Sequence, residues 1–298
     1  MLSDVKTNGE EIQIALPHLN VSARMWGRED KPLLLALHGW LDNANSFEPL
    51  AAYLNDYQVL AIDWPGHGYS DHHPGHYPLH WVDYIFDLQL LMTYLEQKKA
   101  PVAIIGHSLG GIVASAYTAA FPEHVNKLIL IEALAPIFES AKKNKARLKK
   151  SFKDYQTYLA NKENTISVYD NLHIAVNARH KLTGLEISWC ELLTKRNMFK
   201  NGQGVSWRSD PRLRLDSPTR LSFEQVDALM QSHPCPTLLI TAEDGYHSLQ
   251  TALSQGQKWF NQLSTLHLAG DHHLHMGNAA AVASAITEFI ANDRNVVV

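Results

Sequence analysis

The chain has 298 residues, 45% of them hydrophobic and 19% charged, with a net charge of −4 at pH 7. That balance suits a globular α/β protein; it gives no basic footprint for nucleic acid, and no apolar run reaches the roughly 18 residues needed to span a bilayer. Cys190 and Cys235 match no metal or redox spacing and read as buried free thiols, and the N-terminal MLSDVKTNGEEIQI lacks the apolar stretch of a signal peptide, so a soluble, cytoplasmic protein without metal or other cofactor is expected.

Taken in order, Glu11 to Leu16 and Val21 to Trp26 alternate apolar and polar residues around Pro17 to Asn20, which predicts an antiparallel hairpin at a sheet edge. Leu33 to Leu37 is a continuous apolar run that predicts a buried strand, ending in His38-Gly39-Trp40-Leu41-Asp42. Asn45-Ser46 can cap a short helix over Phe47 to Leu54. Val59 to Ile62 predicts the next buried strand, closing in Asp63-Trp64-Pro65-Gly66-His67-Gly68-Tyr69-Ser70. A long helix is expected from about Leu79 to Leu95, with Trp81, Tyr84 and Phe86 assigned to the core.

Val102 to Ile105 is another buried run, and it leads directly into Gly106-His107-Ser108-Leu109-Gly110 and a helical segment. The pattern G-x-S-x-G between a strand and a helix is a nucleophile elbow, a turn sharp enough to strain the serine backbone and lift its hydroxyl off the sheet. The helix that follows aims unpaired N–H groups and its positive dipole end at the neighbourhood of Ser108. Leu128 to Ile131 predicts a further strand ending at Glu132. From Ala133 to about Ser232 the strand signal nearly vanishes, and helical patterns predominate. Within it, Lys142, Lys143, Lys145, Arg147, Lys149 and Lys150 read as the solvated face of a helix, contact with an anionic substrate or lipid surface being the alternative. Strands return at Thr237 to Thr241 and Thr265 to Leu268, and an Ala-rich helix covers Ala279 to Asn292. Apolar strands alternating with helices predict an α/β fold with a mostly parallel sheet covered on both faces. The expected domains are a core of 1–132 and 236–298 and a helical cap of 133–235, inserted after the sixth strand.

A serine hydroxyl needs a base, a group that orients the base, and donors for the oxyanion. Sites in parallel sheets lie at the carboxyl ends of the strands. The base candidates there are His272, His273 and His275; the acid candidates are Glu132 and Asp244. Backbone N–H groups of Leu109 and Trp40 are placed for the oxyanion. His72, His73 and His76 fall in a Pro/Gly loop and are not read as metal ligands.

These motifs in this order resemble the α/β-hydrolase superfamily. His38-Gly39-Trp40 is similar to its oxyanion loop, Asp63 to Ser70 to its structural D-x-P-G-x-G-x-S turn, and Gly270-Asp271-His272 to the G-x-H that carries the catalytic histidine. The resemblance therefore implies His272 as base. The acid of most members would fall at Gly245, one residue past Asp244. A subset places it at the end of the preceding strand, where Leu130-Ile131-Glu132 matches, and this favours Glu132. Gly245-Tyr246 and Gly270-x-His272-x-x-His275-Met276 resemble the serine-hydrolase-like (kraken-like) proteins in particular. What the resemblance implies is a serine hydrolase of small ester-like molecules, carboxylic esters, lactones or thioesters, acting through Ser108, His272 and Glu132. A C–C bond hydrolase or a cofactor-free haloperoxidase would use the same residues, and a non-catalytic ligand-binding protein could share the fold. The sequence leaves oligomeric state open.

Overall fold

The buried runs become strands because their side chains can be covered on both faces. The computed structural model describes residues 9–161 and 167–292. Its main sheet is built from β1 (Glu10–Ala15), β2 (Asn20–Trp26), β3 (Leu33–Leu37), β4 (Gln58–Ile62), β5 (Ala103–His107), β6 (Leu128–Ile131), β10 (Thr237–Asp244) and β11 (Leu263–Asp271). The spatial order is β1-β2-β4-β3-β5-β6-β10-β11. The hairpin β1–β2 joins the edge antiparallel, and all strands from β4 onward pair in parallel.

Helices α1 (Glu48–Ala51), α2 (Trp81–Glu96), α3 (Leu109–Ala120), α8 (His247–Gly256), α9 (Leu274–Gly277) and α10 (Ala279–Ala291) follow the core strands. Successive strand residues face opposite sides, so one run feeds two cores. Leu33, Leu35 and Leu37 pack with Leu88, Leu91 and Val113 of α2 and α3. Leu34 and Ala36 pack with Leu50 and Ile286 of α1 and α10. Every residue of β3, β4, β5 and β6 is buried.

Between β6 and β10 the chain forms α4 (Asn144–Ala160), α5 (Leu172–Thr183), α6 (Ile187–Asn197) and α7 (Phe223–Met230). It also forms a small antiparallel sheet of β7 (Val168–Tyr169), β9 (Gly204–Trp207) and β8 (Met198–Asn201), which the helical reading of this stretch did not contain. The glycine-rich patch is its hairpin: Asn201 pairs with Gly204 across Gly202-Gln203, and Gly204 sits at φ 152°. Two buried ion pairs tie this segment to the core, Arg179 to Asp42 at 2.5 Å and Arg196 to Asp63 at 2.8 Å. On α2, the expectation for Phe86 is corrected. The buried stripe is Tyr84, Leu88, Leu91, Met92 and Leu95, and Phe86 falls off that helical period and is exposed.

Candidate active site

Ser108, Glu132, Asp244 and His272 leave the sheet at the same edge, because each lies immediately after, or at the end of, a parallel strand. His107 on β5 pairs with Ile131 on β6, so Ser108 and Glu132 are the first residues to leave two neighbouring strands. Their backbones remain anchored: Ser108 N donates to Ile131 O and Glu132 N to Ile240 O, both at 3.0 Å. Both also have positive φ, 49° at Ser108 and 52° at Glu132, the sparsely allowed region that costs a non-glycine residue of order 1–3 kcal/mol. The elbow tolerates no larger neighbour. A Cβ on Gly106 would stand 2.5 Å from the Cα of Gly111, and one on Gly110 would overlap the Leu37 carbonyl.

His272 follows β11, and its Nδ1 lies 3.2 Å from Glu132 Oε2, so the ring donates to a buried carboxylate. The same carboxylate accepts from Ala242 N at 2.8 Å and Tyr246 N at 3.3 Å. Glu132 therefore satisfies its oxygens on the β10 exit while orienting His272. Tyr246 packs its ring 4.2 Å from the imidazole, and His107 packs on it at 4.8 Å. His107 also donates from Nε2 to the His272 carbonyl at 2.9 Å. Asp244 is exposed at the end of β10 and shares the cavity, but the carboxylate on the His272 ring is that of Glu132.

The other two histidines go elsewhere. His273 turns Nε2 to Asp42 Oδ2 at 3.1 Å. His275 is fully buried, 5.3 Å from Phe47 and 4.1 Å from His107 between ring centroids. Burial, with His273 beside it, pushes the pKa of His275 well below the usual 6.5.

The loop after β3 carries Trp40. Gly110 N donates to His38 O at 3.1 Å, which ties that loop to the start of α3. Leu41 N donates to His67 Nε2 at 3.1 Å, and the Leu41 carbonyl accepts from Arg179 Nη1 and Asn197 Nδ2 at 3.1 and 3.2 Å. The Trp40 indole donates to Leu213 O at 2.9 Å. His38 Nε2 accepts from Trp64 N at 2.9 Å while its Nδ1 donates to Gly39 O at 2.7 Å. Burial lowers its pKa to about 4 and that of His67 to about 3, so both act as neutral struts. The N–H of Leu109 lies in the first turn of α3, where helix geometry provides no internal acceptor.

Asp42 is the hub that sequence reasoning missed, together with Arg179 and His107. Burial opposes its charge, yet His273 and Arg179 hold its carboxyl well below the usual carboxylate range. For His273 burial is likewise unfavourable, and the Asp42 carboxylate more than offsets it, raising the pKa. Asp42 and Arg179 are 137 residues apart, so no local pattern announces the pair. Among the described residues, two groups bring histidine and aspartate atoms within 4.8 Å of one another: Asp42 with His107 and His273, and His18 with His73 and Asp87. In the first, the Arg179 guanidinium already supplies a cation. In the second, both histidines bond Asp87, at 2.9 and 2.8 Å.

The cavity above the strand exits has a volume of about 750 Å³. Trp40, Ser108, Arg179, Trp207, Tyr246 and His272 line it, drawing on both the core and the stretch between β6 and β10. No helix of the described residues is long and apolar enough to cross a membrane.

Residues 32–279 match the family model described as alpha/beta hydrolase fold. A serine hydrolase-like protein of Danio rerio is 28% identical over 291 residues, covering 94% of this chain and 88% of that one. Serine hydrolase-like protein 2 of Homo sapiens is 27% identical over 298 residues, with 94% and 93% covered. Among solved structures, a hypothetical protein of Pseudomonas aeruginosa PAO1 superposes with a TM-score of 0.86 at 34% identity, covering 95% of this chain and 99% of the other.

Proposed function

The chain belongs to the α/β-hydrolase fold family, close to the serine-hydrolase-like proteins, and we propose that it cleaves small ester-like molecules through an acyl-enzyme on Ser108. The observation that carries this reading is the His272–Glu132 pair at 3.2 Å, whose imidazole lines the same cavity as the strained Ser108.

In this mechanism, Ser108 Oγ attacks the substrate carbonyl carbon and passes its proton to His272 Nε2. Nδ1–H stays on Glu132, which fixes the tautomer and stabilises the imidazolium. The N–H groups of Leu109 and Trp40 receive the oxyanion, each worth about 3–4 kcal/mol in comparable sites. The imidazolium then protonates the leaving alcohol or thiol. Water, deprotonated by the same imidazole, attacks the acyl carbon and returns the serine. A serine nucleophile directs the reaction to carbonyl carbon. The segment 133–235 is proposed as the cap that shapes the acyl pocket, and a volume of about 750 Å³ with aromatic walls suits a small-molecule ester, lactone or thioester.

Fluorophosphonate labelling, with p-nitrophenyl acetate turnover alongside, tests the reading. Labelling of the wild type and its loss in Ser108→Ala support it. Glu132→Gln is expected to cut turnover by several orders of magnitude, and Asp244→Asn to leave it within a few-fold. A folded wild type that neither labels nor turns over would overturn the catalytic reading, and a loss confined to Asp244→Asn would overturn the choice of acid.

A further inference from the structure

The surface of α4 carries a separate signal. Residues 141–160 hold seven basic residues and one acid, a net +6 in a chain whose total is −4. The basic residues divide by helix face. Arg147 bonds Glu139 at 2.9 Å, and Lys150 bonds Asp154 and Asp216 at 2.8 and 3.0 Å. Lys145, Lys149 and Lys153 are exposed and have no ion-pair partner among the described residues. At 100° per residue these three fall within one narrow arc of the helix.

Beside that arc runs a stripe of apolar side chains that folding has not covered. Leu148, Phe152 and Leu159 are 42%, 49% and 44% exposed. Their spacing of four and seven residues puts them on one line of the helix, while Ser151 and Tyr155 fill the buried face. Helix stability does not account for the charges either. The first turn contains no acid, and lysines crowd the N-terminal end, where the helix dipole disfavours cations. The apolar line rimmed by lysines has the form of a helix that lies in a headgroup layer, with leucine and phenylalanine reaching the acyl boundary.

We propose that the outer face of α4 docks on a lipid surface bearing anionic headgroups. Charge complementarity selects that occupant: unpaired lysines meet anionic headgroups, and three half-exposed apolar side chains meet the acyl region beneath them. On another side of α4, Asp154, Thr157 and Tyr158 line a hollow of about 340 Å³, which shares Trp207, Ser209 and Arg214 with the cavity that holds Ser108. The proposal does not depend on the chemistry at Ser108.

Co-sedimentation of the full chain with vesicles tests it, comparing phosphatidylcholine alone with phosphatidylcholine containing one third phosphatidylserine. The wild type is expected to pellet with the anionic vesicles at low salt and to be released as salt rises. Lys145→Glu/Lys149→Glu/Lys153→Glu should weaken partitioning on the order of 100-fold. Leu148→Ser/Phe152→Ser should weaken it while keeping the salt dependence. Both variants should keep the wild-type circular dichroism spectrum and wild-type turnover of a soluble ester. Phe152→Trp should shift its emission to the blue on anionic vesicles. A wild type that stays in the supernatant with anionic vesicles at low salt overturns the proposal. So does equal binding by the charge-reversed variant. Retention on an immobilised acidic peptide with no binding to either vesicle would assign the face to a protein partner and likewise overturn it.

Discussion

Gly245 lies against the Glu132 carboxylate so closely that a Cβ on it would stand 2.5 Å from Oε2 and 2.6 Å from Oε1. The two strand exits are thus complementary: the side chain grows from β6, and the space for it is left by a glycine after β10. In the more usual arrangement of this family the acid would grow from position 245. Here an acid at 245 and an acid at 132 would compete for one volume, so the absence of a side chain at 245 is part of the site.

Gly245→Ala is therefore expected to displace the carboxylate and tilt His272, lowering kcat/KM for p-nitrophenyl acetate about 100-fold, the usual result of a displacement near 1 Å. The melting temperature should move by only a few degrees. The complementary experiment moves the acid. Glu132→Gly relieves a positive φ and abolishes turnover, and adding Gly245→Asp should recover at least about tenfold. Full activity in Gly245→Ala would mean that the carboxylate does not need its present position.

The Arg179–Asp42 pair yields a second prediction. Removing one partner of a buried pair costs about 3–5 kcal/mol, so Arg179→Met should lower the melting temperature by about 10 °C in a domain of this size. Activity should fall further than stability alone explains, because the Leu41 carbonyl loses its guanidinium donor next to the Trp40 amide. Arg179→Lys keeps the charge but lacks the fork that reaches both Leu41 O and Asp42, so it should recover only part of the stability. Adding Asp42→Asn to Arg179→Met should restore part of the loss, since the buried charge left with only His273 beside it is then gone. Strictly additive losses in that cycle, measured by thermal denaturation, would show that the two residues do not couple.

The centre of the sheet could be read from the sequence because β3 to β6 are buried on both faces, so Leu33 to Leu37 and Leu128 to Ile131 stand out as unbroken apolar runs. The positions of Ser108 and Glu132 could be read for the same reason, since each follows such a run, whereas His272 follows the half-exposed strand β11 and was singled out by the resemblance of Gly270-Asp271-His272. What local pattern could not supply was pairing across distance. Asp42 reads as a loop acid, and only the folded chain brings Arg179 and His273 to it. The small sheet of β7, β8 and β9 escaped because its strands are two to four residues long, too short for alternation to register. Phe86 was placed in the core by its residue type, although the period through Leu88 and Leu91 puts it outside.

The buried histidines set the acid limit of stability. An unfolded histidine binds a proton near 6.5, whereas folded His38 does so only near 4 and folded His67 near 3. His107 is held well below 6.5 by burial and by His275 beside it, and His275 by burial and by His273. Between about pH 6.5 and 4 the unfolded chain therefore binds more protons, and stability falls as the pH falls. His38 alone accounts for about 3 kcal/mol across that window. His273 acts in the opposite sense. Its raised pKa gives a contribution that is complete below 6.5 and lost as the pH climbs through the folded value. His275 is the group to change, because neither ring nitrogen has a hydrogen-bond partner among the described residues and the ring is fully buried. His275→Leu removes a fully buried polar ring without hydrogen-bond partners and removes one proton-binding difference. Urea denaturation should find the variant at least as stable as the wild type at pH 7 and more stable by at least about 1 kcal/mol at pH 5. A variant with an unchanged slope between those pH values would mean that His275 is not held neutral by its burial.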